Sequence, residues 1–450
     1  MSTTGEAESS VNASASAGPA AVVVLAAHEP EPTPEQQKGM RASILGQAFG
    51  ALGQVAFANG LVLLFLTQQQ FSSDAIMFFL ALPALTQTLC IIPFGFMADR
   101  RGLKKVMVSG TLLACLGFAL LPAAGFLSGT MMTLTVTAGI VIFALGIAMF
   151  SSGWFALLQP IVPPHMRGRY FGIMRVVWQS MGLLFGVICT FLLSKDSPTA
   201  AFQIIFAFVT VCMLTRTFYT AQVPELGKPE TSRESLLEAL LEAVRVPGYS
   251  SFCCYVFLIT LSTANAPNLF ALIEKDALGL GDRTIVWLGN ALMIGAVLGF
   301  WLGGKAVDRL GTKVVFLMAH FAFGLVLLGF LARIVMPPEW VKVWLGVLNF
   351  LFGLISAAST IAVSTEMMAL IPERNKSLST GLLQTLQVAG GALSGLLSAA
   401  AINLNVFSPE WRIAGQRLSG YDSMLLLSAV LVLVLTVALG LVPSVIRRAE

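Results

Sequence analysis

Twelve long apolar runs dominate this chain, and they leave few folds open to it. Their approximate spans are 41–68, 73–98, 106–127, 131–158, 168–193 and 198–220, then 248–273, 284–307, 314–335, 341–370, 376–402 and 421–443. A helix needs about 20 apolar residues to cross a bilayer, and each run is long enough. Inside lipid the backbone must satisfy its own polar groups, so runs of this length are expected as helices. Only 11% of residues are charged, against about a quarter in soluble domains. The expectation is an all-α membrane protein with twelve transmembrane helices.

The chain is also a duplication. Gly95-x-x-x-Asp99-Arg100-x-Gly102-x-Lys104 ends span 2, and Gly304-x-x-x-Asp308-Arg309-x-Gly311-x-Lys313 ends span 8, 209 residues later. The same offset relates Pro163 to Pro372, Gly172 to Gly381, Gly182 to Gly391 and Gly186 to Gly395. Agreement at one register implies two homologous six-helix bundles. The expected division is a disordered cytoplasmic tail over 1–37, bundles over 38–220 and 248–445, a linker over 221–247, and a short cytoplasmic tail over 446–450.

Orientation follows from basic residues in the connections. With both termini cytoplasmic, eighteen Lys and Arg fall on the cytoplasmic side and seven on the other. Arg175 and Arg216 lie within helices. In the linker, Leu236, Leu237, Leu240, Leu241 and Val244 form one helical stripe, and Glu234, Glu238 and Glu242 another. Anionic headgroups would repel that acidic face, so the linker helix is expected to lie on the protein's own cytoplasmic surface. The connection 403–420 is either an interfacial segment or a loop.

A net charge of +4 spread along the chain gives no nucleic-acid footprint. The six cysteines all sit in apolar runs and the three histidines lie in separate segments, so no metal site or disulfide framework is expected. No Gly-x-x-x-x-Gly-Lys-Ser/Thr phosphate loop and no catalytic cluster occurs, so neither ATP-driven transport nor an enzyme is expected, and no cofactor.

Two motif copies at equivalent positions in a twelve-span chain resemble the major facilitator superfamily. Arg167-Gly168-Arg169-Tyr170-Phe171-Gly172 after span 4 is also similar to that family's connection, and Ser377 stands where its second-half counterpart would repeat Gly168. The resemblance covers most of residues 40–445 and implies transport by alternating access between the two bundles. It also implies that Gly95, Asp99, Arg100, Gly102, Gly304, Asp308, Arg309 and Gly311 close the cytoplasmic side in one state. The glycines let a neighbouring helix approach. Asp99 and Asp308 can each face another helix's N-terminus or pair with a basic residue. Glu366 is expected to join this gate by pairing with Arg309 or Arg374.

The resemblance makes spans 1, 4, 7 and 10 the walls of a central cavity, flanked by 2, 5, 8 and 11. Candidate substrate-binding residues are then Gln47 and Gln54 on span 1, Asn265 and Asn268 beside Pro267 on span 7, Asn290 on span 8, and Asn349 and Ser356 on span 10. Span 5 adds Arg175, Trp178 and Gln179, and span 11 adds Gln384 and Gln387. Arg175 is the cation set furthest from obvious helix ends, and it serves either a substrate anion or a snorkelling or gate-pairing contact. Gly182, Gly186, Gly391 and Gly395 are read as packing faces. Only Glu366, and behind it Glu274, could relay a proton within the membrane.

The function expected is a secondary transporter, gradient-driven or facilitative, in the inner membrane. It would move a small polar solute as a monomer in the lipid bilayer, with a proton or sodium as candidate coupling ion. The alternatives are a transporter-like sensor or assembly factor without transport activity, or lipid translocation.

Overall fold

The computed structural model describes residues 31–58, 61–193, 198–226, 234–372, 374–408, 410–413 and 416–441. Fifteen α-helices occur among them, and from Pro32 onward they belong to one compact unit. The first half comprises α1 (Pro34–Ala58), α2 (Leu61–Gln68), α3 (Ser73–Arg101), α4 (Leu103–Ala124), α5 (Gly129–Leu158), α6 (Arg167–Leu192) and α7 (Thr199–Gln222). The linker carries α8 (Leu236–Arg245). The second half comprises α9 (Tyr249–Thr263), α10 (Ala266–Leu272), α11 (Asp282–Leu310), α12 (Thr312–Leu331), α13 (Pro338–Leu370), α14 (Lys376–Asn403) and α15 (Gly420–Leu441). Among the described residues eleven helices are long and apolar enough to cross a membrane, and twelve if the bent pair α1–α2 is one span.

The first helix begins earlier than the sequence suggested, so Pro34–Gln37 belong to α1 and not to a tail. Thr33 explains this: its Oγ1 accepts from Gln36 N at 3.2 Å, and Gln36 Oε1 accepts from Thr33 N at 2.9 Å. This reciprocal cap, with proline at the first helical position, is a strong helix start. The rest of the N-terminal tail, over 1–30, and the C-terminal tail lie outside the described residues.

The seventh span is interrupted at its amide-rich stretch. α9 stops at Thr263, α10 starts at Ala266, and Ile273–Ala277 continues as a π-helical turn. Pro267 cannot donate to the turn behind it, which accounts for the first break. Between α14 and α15 the chain forms a hairpin, β1 (Glu410–Ile413) antiparallel to β2 (Gln416–Ser419), with Trp411 opposite Leu418. The loop alternative for this connection is thereby corrected.

Arg333 and Asp422 fasten the base of that hairpin. Their paired hydrogen bonds measure 2.6 and 2.9 Å, and both side chains are buried. Asp422 also accepts from Ser419 N and Ser419 Oγ at 2.7 and 2.8 Å.

One apolar core lies within the first half around Phe65, Phe118, Phe143 and Phe206. The other centres on Phe270, Phe316, Phe330 and Phe352 and extends across to Trp154, Tyr170 and Phe171. Of the glycines read as packing faces, Gly182 meets Val55, whereas Gly395 faces open space. On α14 the close approach is made one residue before Gly391, by Gly390 against the Phe257 carbonyl.

The linker helix α8 starts with a capping box: Ser235 Oγ accepts from Glu238 N, and Glu238 Oε2 accepts from Ser235 N. These bonds favour the ionised carboxylate and hold the Glu238 carboxyl below its ordinary pKa. Ala239 and Ala243 are buried, while Leu237, Leu241 and Val244 are exposed. The leucine stripe is therefore not the buried face. The acidic side is what meets the protein, with Arg374 Nη2 on Glu234 at 2.5 Å and Asn375 Nδ2 on Glu242 at 3.1 Å.

Candidate functional site

Both copies of the repeated motif sit at one rim, where the halves meet. Gly102 and Gly311 have φ of 101° and 80°, a left-handed conformation that lets each motif turn sharply into the next helix. Asp99, at the end of α3, accepts from Ser377 N at 2.8 Å and Leu378 N at 3.0 Å, the first turn of α14. Asp308, at the end of α11, accepts from Gly168 N at 2.7 Å and Arg169 N at 2.8 Å, the first turn of α6. The acceptors lie 209 residues apart, and so do the donor pairs. The two contacts are thus mates in the repeat, each crossing from one half to the other.

The chemistry of each contact is a carboxylate on unpaired helix N-terminal N–H groups, which also places negative charge at the positive end of the helix dipole. Burial strengthens it: Asp99 is 5% exposed and the Asp308 side chain 7%. Arg169 Nε adds an ion pair to Asp308 at 3.1 Å. Close helix approach depends on the glycines. A Cβ on Gly304 would stand 2.5 Å from the Gly168 carbonyl oxygen, and one on Gly95 2.8 Å from that of Ser377.

The other gate candidates take different places. Arg100 lies over the Phe96 ring and donates to the Glu234 carbonyl at 3.0 Å, so it binds the linker. Arg309 is exposed. Glu366 pairs with neither Arg309 nor Arg374: its buried carboxylate accepts from the Thr312 hydroxyl, while Arg374 binds Glu234 and Glu242. The arginines at this rim misled here: Thr312, which opens α12 beside α13, takes the carboxylate instead.

Several candidate binding amides are engaged within the protein. Asn349 donates to Glu274 at 2.9 Å and to the Leu345 carbonyl, both buried, so it binds helix to helix. Glu274 is 2% exposed in the π-helical turn. Gln384 donates to the Ser151 carbonyl at 3.3 Å across the halves. Asn268 donates to Asn265 at 2.8 Å, and Asn290 is exposed. Gln54, Trp178 and Gln179 are partly buried. Arg175 has a buried Nε with no hydrogen-bond partner among the described residues. Ser356 and Gln387 do share a cavity of about 250 Å³ between α9, α13 and α14, together with Thr260, Thr263, Ser359 and Thr360.

Sequence reasoning passed over Arg216, which is 3% exposed. Its Nη1 donates to the Gly50 carbonyl at 3.2 Å, its Nη2 to Gln47 Oε1 at 3.3 Å, and its guanidinium stacks over Phe150. Gly50 makes the room, since a Cβ there would fall 1.9 Å from Arg216 Cδ. Gln47 therefore anchors a buried cation. A cation inside the apolar run 198–220 was the available signal.

The fold matches solved transporters at low identity. A bacterial homologue of the iron transporter ferroportin in an outward-facing state aligns with TM-score 0.71 at 14% identity, covering 90% of this chain and 98% of that one. FucP in an outward conformation aligns with TM-score 0.70 at 12% identity, covering 89% and 98%. The human organic anion transporter MFSD10 aligns with TM-score 0.68 at 12% identity, covering 90% and 100%. A search of curated protein sequences gave no match. The profile of the Major Facilitator Superfamily matches residues 43–395, and this membrane-spanning, all-α chain belongs to that family of secondary transporters.

Proposed function

We propose that the protein carries a small polar solute across the cell membrane by alternating access, in the state closed at its cytoplasmic rim. The observation that carries this is the pair of repeat-related contacts, Asp99 on α14 and Asp308 on α6. Each is a polar contact between the halves, of a kind that can break and re-form as they part. The motif's basic residues assign this rim to the cytoplasm, with both termini on that side.

Among the described residues no carboxylate lines the cavity between α9, α13 and α14; its polar lining is hydroxyls and one amide, set among apolar side chains such as Phe323 and Phe352. That chemistry suits a neutral or mildly anionic solute over an organic cation. Glu274 and Glu366 are the candidate groups for proton coupling, each held by one hydrogen-bond donor. Uptake of neutral polar solutes into proteoliposomes, with imposed proton and sodium gradients in turn, is the test. Accumulation of at least one such solute is expected. Movement of organic cations with neutral solutes inert would contradict the reading.

A further inference from the structure

His320 lies at the centre of the second half with no exposed surface, wrapped by Phe316, Phe323 and Tyr255. The transport reading gives it no role. Both ring nitrogens are nevertheless engaged: Nδ1 with the Tyr255 hydroxyl, and Nε2 with Ser359 Oγ at 2.8 Å. Ser359 in turn lines the cavity described above. The three side chains connect a sealed aromatic core to a hydroxyl-bearing cavity wall of the second half.

Hydrogen-bond accounting gives this chain a direction. Tyr255 OH has no other acceptor among the described residues, and a buried phenol hydrogen left without one is costly. Its hydrogen therefore goes to Nδ1. Nδ1 is then the acceptor, Nε2 carries the ring hydrogen, and that hydrogen goes to Ser359 Oγ. The Ser359 hydrogen has no protein acceptor among the described residues and is left to the cavity. Each bond polarises the next, which sharpens the last donor.

The remaining wall complements it. Thr260, Thr263 and Thr360 donate to carbonyls of their own helices, at 2.7, 2.8 and 2.9 Å, so only their lone pairs face outward. Ser356 and Gln387 make no side-chain hydrogen bond among the described residues and offer both donors and acceptors. The rest of the lining is apolar, and no charged side chain among the described residues reaches the space. At about 250 Å³ it falls below the volume of pockets for drug-sized ligands.

We propose that Tyr255 and His320 are positioning residues that turn the Ser359 hydrogen into this cavity, making it a binding site for a small uncharged solute bearing several hydroxyl or carbonyl oxygens. The assignment rests on the transport reading for its biological use, but the test separates the two. Nitrogen NMR of the full-length protein with labelled histidine, compared with His320→Gln to identify the signal, should show His320 neutral with its hydrogen on Nε2. A hydrogen on Nδ1, or an imidazolium, overturns the directed chain whatever the transport result.

Binding is read by thermal shift with glycerol, D-glucose and myo-inositol, and with gluconate and choline as charged controls. At least one neutral probe should stabilise the protein and both charged probes should not. Ser359→Ala and Tyr255→Phe should each weaken that probe by about tenfold, the scale of one lost polar contact, and His320→Gln should restore part of what His320→Ala loses. Failure of every neutral probe, tighter binding of a charged one, or indifference to Ser359→Ala overturns the site. Binding that survives while uptake is absent would strike the transport reading alone.

Discussion

Replacing Asp99 and Asp308 together by asparagine is expected to open the closed rim and stop transport while the protein still folds. Each carboxylate accepts two backbone N–H bonds at a helix start. Asparagine has one acceptor oxygen and turns an NH2 group toward the second N–H. A bond to a charged group contributes about 1.5–3 kcal/mol, so the two sites together shift the equilibrium by roughly 3–6 kcal/mol. About 5.5 kcal/mol carries a two-state population from one side to the other. A cysteine at Ser151, beneath the seam where Gln384 crosses, reports the change. Membrane-impermeant maleimide added from the motif side should label it rapidly in the double variant and slowly in the parent. Equal labelling in the two proteins, with transport intact, would contradict the gate.

Arg333→Ala should cause the largest loss of stability of any single substitution considered, about 3–5 kcal/mol, the usual cost of removing one partner of a buried pair. Asp422 would be left buried, keeping only its bonds from Ser419. Adding Asp422→Leu should recover part of the loss by removing the orphaned charge. Full recovery is not expected, because Ser419 N and Oγ then lack their acceptor. Thermal unfolding of the detergent-solubilised protein checks this. An Arg333→Ala variant that melts within about 0.5 kcal/mol of the parent would show the pair to be incidental.

The parts of this structure that were legible beforehand are those written in local pattern. Apolar run length marks a span, and glycine followed by Asp-Arg marks a turn at the rim, so the spans and both motif turns could be placed from residues alone. The duplication supplied more. The 209-residue offset relates Asp99 to Asp308, and the same offset relates their partners Ser377 and Gly168. What stayed hidden depends on which helix faces which. Glu366 stands eight residues before Arg374 in sequence, yet its partner in space is Thr312. Gln47, Asn349 and Gln384 read as binding amides because polarity in an apolar run looks the same whether it meets solute or another helix. Arg216 needed Gly50 and Phe150, far apart in the chain, to be tolerated. The Arg333–Asp422 pair likewise arises from a contact no short window contains.

The central claim is that the two halves part at the rim they now close. Spin labels on Arg101→Cys and Leu310→Cys test it most directly, on a background lacking the six native cysteines. These positions end α3 and α11, are both exposed, and are mates in the repeat. Dipolar distance measurements in lipid should show a short population in the parent protein and a longer one that dominates once Asp99 and Asp308 are asparagine. A single distance, the same in both backgrounds while uptake continues, would contradict the account.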